Sequence, residues 1–139
     1  MRALFDTYSF KASKHVTKSY STSFYAGVRF LDKKIRDDIH GIYGFVRFAD
    51  EIVDTFHEQN KEELLDEFVV DTYKAIDRKI SLNPILNSFQ MVVNKYNIDH
   101  ALIDQFLHSM RMDLNPVDYT QESYDCLLYT SDAADDDAC

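Results

Sequence analysis

Between Lys34 and Phe56 apolar residues return every three or four positions, at Ile42, Phe45, Val46, Ala49, Ile52 and Val53. That spacing lays them along one side of a helix, which turns roughly 100° per residue. Tyr43, Arg47, Asp50 and Asp54 fall on the other side, within about 60° of one another at that pitch. A helix buried on every side would not carry such a stripe, so one face is expected to anchor this helix and the other to be presented. Gly41 and Gly44 cost about 1 kcal/mol each relative to alanine in a helix. They fit either close packing against a neighbouring helix or the wall of a cavity.

The same pattern maps the rest of the chain. Phe10 to Phe30 reads as helical, with Lys, Ser and Thr crowding the stretch from Thr17 to Ser23, so two short helices with a break are expected there. Lys61 to Ile80 forms a surface-type helix, with Leu64, Leu65, Phe68, Val69, Tyr73 and Ile76 on one side and acids on the other. Asn83-Pro84 supplies an N-cap and a first-turn proline for a helix through Ile85, Phe89, Val92, Val93 and Tyr96, which Asn97 closes. Asp99 caps the next, whose apolar positions Leu102, Ile103, Phe106, Leu107, Met110 and Met112 run to Asp113-Leu114 before Pro116. Thr120-Gln121-Glu122 opens one more helix. With three glycines, two prolines and little β-branched alternation, the chain is expected to be all-α.

Composition changes this picture mainly by exclusion. The length of 139 residues suits one domain, and 45% hydrophobic residues is ordinary for a globular chain. No stretch is long and apolar enough to cross a bilayer, and the start, Met1-Arg2-Ala3-Leu4-Phe5-Asp6, acquires an acid too early for a leader, which points to a cytosolic address. A net charge of −9 argues against nucleic acid as a partner. Both cysteines, Cys126 and Cys139, fall in the final stretch, so no thiolate zinc site or disulfide framework is expected upstream.

That final stretch, CLLYTSDAADDDAC, breaks with everything before it. It loses helical periodicity and resembles the read-through translation of a transposon adapter used in sequencing libraries. Residues 126–139 are therefore expected to be a non-native tail, with the natural sequence stopping near Asp125 and the chain representing the N-terminal part of a larger protein. Without Asp132, Asp135, Asp136 and Asp137 the balance is 20 acids to 15 bases, a net charge of −5.

Two aspartates one turn apart can share a hard cation, and magnesium commonly takes one or two protein carboxylates plus substrate phosphate oxygens. The planar fork of an adjacent arginine suits phosphate. Acidic pairs at this spacing are also common on merely solvated helices, so the companions decide. Upstream stand Ser21-Thr22-Ser23-Phe24-Tyr25, then Phe30-Leu31 and Arg36. His15, His40, His57, His100 and His108 show no metal-ligand spacing. No glycine-rich phosphate loop, dinucleotide fingerprint or internal repeat occurs.

With these companions, Ile42 to Asp54 resembles the first aspartate-rich motif of the squalene and phytoene synthase family, the head-to-head prenyltransferases. In that family DxxxD lies within IYxFxRxxDxxxD and follows a serine pair and a phenylalanine. Met110-Arg111-Met112-Asp113-Leu114 resembles a further family segment, MxxDL, and Tyr119 sits where the family often has tyrosine. The resemblance implies an isoprenoid-synthase-type helical fold, of which residues 1–125 would be the N-terminal portion. It implies that Asp50 and Asp54 hold magnesium (or manganese) bridging a prenyl diphosphate, and that Tyr43 acts with them in catalysis. Ser21, Ser23 and Arg47 would contact diphosphate oxygens and Asp113 would face the cavity. Phe24, with Tyr25, Phe45 and Phe48, would line it.

The reaction so implied joins two geranylgeranyl diphosphates into phytoene, in carotenoid synthesis. Squalene or dehydrosqualene formation from farnesyl diphosphate is the nearest alternative. A noncatalytic helical homologue that binds prenyl lipids or a partner subunit is a rival of another class, and a plain acidic interaction module predicts Arg47 and Asp54 pointing to solvent. A peripheral contact at the membrane accompanies the cytosolic address as an expectation, because the product is greasy. Departures from the family pattern are Glu51 for a frequent aspartate, Asp32 for a proline and Val46 for a cysteine. The family's second aspartate-rich motif is expected to lie beyond the truncation, so this chain by itself is expected to be inactive.

Overall fold

The computed structural model describes residues 1–114; Tyr119, the helix expected at Thr120 and the tail from Cys126 lie outside the described residues. Six helices follow one another: α1 (Arg2–Tyr20), α2 (Thr22–Val28), α3 (Lys33–Asp54), α4 (Lys61–Arg78), α5 (Pro84–Tyr96) and α6 (His100–Leu114). No strand occurs among the described residues, so the fold is all-α. The punctuation is local chemistry. Ser21 is extended (φ −147°) and accepts from the Phe24 amide, which makes the break between α1 and α2. Asp32, Asn60, Asn83 and Asp99 each place a side-chain oxygen on a first-turn amide of the helix they precede. Lys79 and Asn97 take the left-handed conformation that closes α4 and α5.

The apolar core lies where α3, α4, α5 and α6 meet. Phe45 is its centre, stacked on Phe89 with ring centroids 3.8 Å apart and flanked by Phe68 at 5.3 Å and Phe106 at 5.7 Å. Ala49, Leu65, Leu86, Ile103 and Leu107 close around it. Burying a side chain of this size stabilises the fold by roughly 1.5–3 kcal/mol.

A second, polar seam joins α1 to α3 and α5. Helix α1 starts at Arg2 rather than near Phe10, and the residues it buries are Ser9, Ser13 and Thr17. Apolar periodicity is blind to such a helix. Ser13 Oγ lies 2.6 Å from Ser88 Oγ, Thr17 Oγ1 lies 2.9 Å from His40 Nδ1, and Asn87 donates to both Asp6 and Ser9. Small side chains let the backbones approach, and the two glycines complete that approach. A Cβ on Gly44 would stand 2.9 Å from Ser13 Oγ; one on Gly41 would stand 3.1 Å from Val92 Cγ2. Close helix packing is therefore what these glycines do. His40 is buried, with its Nδ1 at the Thr17 hydroxyl.

Candidate functional site

Anchored by its glycines on one side and Phe45 on another, α3 turns its remaining side, the stripe side, toward Tyr20 and Phe24 of α1–α2 and toward Asp113 of α6. Along it Tyr43, Arg47 and Asp50 are half-buried and Asp54 is exposed at the last turn. The Phe24 ring of α2 stacks on Tyr43 with centroids 5.0 Å apart. One turn on, the Arg47 guanidinium lies 4.9 Å from the centroid of Tyr20, at the end of α1, and Arg47 Nη2 donates to Glu51 at 3.1 Å. These contacts hold the guanidinium without using it up. Arg47 Nε is buried and has no acceptor among the described residues, and a buried unpaired donor is costly unless something else satisfies it.

The carboxylates show the same incompleteness. Burial pushes the Asp50 carboxyl above the usual aspartate range; Arg47 opposes that shift, and Asp54, Asp113 and Glu51 add to it. Asp113, on α6, is thus near enough to act on Asp50. Among the described residues no three carboxylate, imidazole or thiolate groups converge closely enough to hold a metal unaided. A cation here would need oxygens from a ligand, which is the usual habit of magnesium. A half-buried acid crowded by other acids, beside an arginine with a free buried donor, fits a magnesium-bearing anion.

The other residues singled out in the sequence divide. Ser21 spends its side-chain oxygen capping α2, 3.1 Å from the Phe24 amide nitrogen, and its neighbour Tyr20 places it at the Arg47 end of the stripe. Ser23 is exposed on α2. Phe45 belongs to the core and not to a lining, because its ring is enclosed by Phe68, Phe89 and Phe106. Tyr25 packs against His40. Phe48 faces a groove of about 470 Å³ lined also by Tyr8, Val16 and Pro84, away from the stripe. A second groove, of about 290 Å³ beside Asp71 and Leu82, is likewise remote. Tyr20 was not singled out in the sequence; an aromatic residue directly before the serine pair was the available signal. Of the two residues that the plain interaction module expects in solvent, Arg47 is half-buried and Asp54 is exposed.

A family model described as squalene/phytoene synthase matches residues 17–135. The chain belongs to the squalene/phytoene synthase family. Family membership accounts for the all-α isoprenoid-synthase fold and makes the chain a member of a prenyltransferase family acting on prenyl diphosphates. No curated protein matches the chain. The match covers the break at Ser21, the whole of α3 and α6, and therefore every residue of the stripe and its flanks.

Proposed function

We propose that the stripe side of α3 is the first-motif wall of a head-to-head prenyl-diphosphate condensation site, joining two geranylgeranyl diphosphates into phytoene. The supporting observation is the pairing of Asp50, pushed up by burial and by three neighbouring acids, with an Arg47 whose buried Nε lacks an acceptor. Asp50 and Asp54 would hold magnesium, which when bound neutralises charge on the departing diphosphate. Arg47 supplies a fixed donor to the same anion, and Tyr20 and Glu51 keep it from swinging into solvent. Phe24 stacked on Tyr43 presents an aromatic surface beside the charged stripe, suited to a prenyl chain and to excluding water from an allylic cation. Geranylgeranyl is preferred to farnesyl because Tyr43 to Asp54 and Met110 to Tyr119 resemble the corresponding segments of bacterial phytoene synthases.

Titration calorimetry of this chain with farnesyl and geranylgeranyl diphosphates, with and without magnesium, tests the proposal. It expects binding only with magnesium, tighter for geranylgeranyl diphosphate, and abolished in Arg47→Ala. Magnesium-independent binding, or full binding by Arg47→Ala, would remove the assignment; tighter farnesyl binding would move the product toward squalene.

A further inference from the structure

Charge is divided along this chain. Of its fifteen lysines and arginines, eight fall in the first 36 residues, against two of its twenty-four acids. That segment carries +6 and the remainder −15, or −11 without the four acids of the final stretch. Such asymmetry is a footprint of contact with an anionic surface.

The basic segment carries an apolar tip. Between α2 and α3 Phe30 is 91% exposed, with Leu31 and Ile35 exposed beside it. The loop is ordered by its own bonds. Phe30 N donates to Gly27 O at 3.1 Å and Leu31 N to Val28 O at 3.0 Å, over a fully buried Val28 side chain. Arg36 donates to the carbonyls of Arg29 and Leu31, both at 2.9 Å, and Asp32 is occupied as the cap of α3. The backbone thus has its partners while the phenyl ring has none. Around it Arg29, Lys33 and Lys34 are exposed, and among the described residues no ion pair engages any of them. Lys18 extends the basic surface onto α1, its Nζ 6.0 Å from the centroid of Tyr25 in α2.

We propose that the α2–α3 loop is a membrane-docking wedge: Phe30 and Leu31 enter the interfacial region of an anionic bilayer while Arg29, Lys33 and Lys34 lie against its headgroups. An acidic protein would match the lysines and leave a wholly exposed phenyl ring unexplained. An aromatic ring between cations is the chemistry of a lipid interface. No helix among the described residues is long and apolar enough to span a membrane, so the contact is peripheral.

Co-sedimentation of this chain with vesicles of phosphatidylcholine alone, or mixed with phosphatidylglycerol, tests the wedge. No prenyl diphosphate is present, so the result is independent of the roles given to Asp50 and Arg47. The chain should sediment with the anionic vesicles, remain in solution with phosphatidylcholine alone, and be released by high salt. Phe30→Ser should lower partitioning about tenfold or more, and Lys33→Glu with Lys34→Glu should lower it to the phosphatidylcholine level, both with unchanged helical circular dichroism. Absence of sedimentation with anionic vesicles would overturn the proposal. So would equal sedimentation of the Phe30→Ser chain, which would mark a contact of charge alone, as with an acidic macromolecule.

Discussion

The two sides of α3 are built on opposite principles. Its packed side is closed: Phe45 is sandwiched among three aromatic rings, and a Cβ on Gly41 or Gly44 would stand 3.1 Å from Val92 Cγ2 or 2.9 Å from Ser13 Oγ. Its stripe side leaves an acid pushed above its usual range and a buried guanidinium nitrogen without an acceptor among the described residues. On the proposed function a magnesium-bearing diphosphate completes that side, so stability and ligand binding should separate along one helix.

Substitutions on the packed side should therefore lower stability and spare the stripe. Phe45→Ala has the largest expected effect, about 3–5 kcal/mol of unfolding free energy, read by urea denaturation. A smaller loss would mean the aromatic cluster closes over the gap. Gly44→Ala comes next. Its Cβ would meet Ser13 Oγ at 2.9 Å and Ser13 Cβ at 3.2 Å, so a net loss of about 1–3 kcal/mol is expected despite better helix propensity. The same change at Gly27, where nothing lies within 4 Å, should instead stabilise by up to about 1 kcal/mol. Destabilisation at Gly27 equal to that at Gly44 would contradict the close-packing explanation.

The polar seam adds a smaller, pH-dependent effect. Burial holds the His40 pKa below its ordinary value, Lys14 adds to the depression and Asp37 opposes it. The unfolded chain then takes up a proton before the folded one does. Stability is full above the ordinary histidine range, near 6.5, and falls as the pH drops from there toward the depressed folded value. Thermal melts of His40→Gln should lose this acid limb; an unaltered limb would assign it to carboxylates.

What was legible in the sequence follows the same division. The core helices show through Phe45, Ala49, Ile52, Phe68 and Phe89 because apolar side chains at helical spacing are themselves the cause of burial. Caps at Asn83 and Asp99 show because side-chain oxygens before a helix have a local partner. The seam does not show. Ser9, Ser13 and Thr17 are buried by the shape of their neighbours and by bonds to Ser88 and His40, which lie far along the chain. The stripe at Tyr43, Arg47, Asp50 and Asp54 is visible as a periodicity, whereas Tyr20 beneath Arg47 and the distinct surroundings of Phe24 and Phe45 required the helices to be assembled.

Asp50 carries the central claim, because burial and three neighbouring acids disfavour its charged form and push its pKa up. Asp50→Asn keeps the shape, removes that burden and should leave the melting temperature equal or slightly higher. The direct measurement is calorimetric titration of inorganic diphosphate with magnesium into the unmodified chain and into Asp50→Asn, each paired with a thermal melt. The account predicts magnesium-dependent binding in the first and its loss in the second, with folding intact. Equal binding in both, or no binding by the unmodified chain, would contradict it.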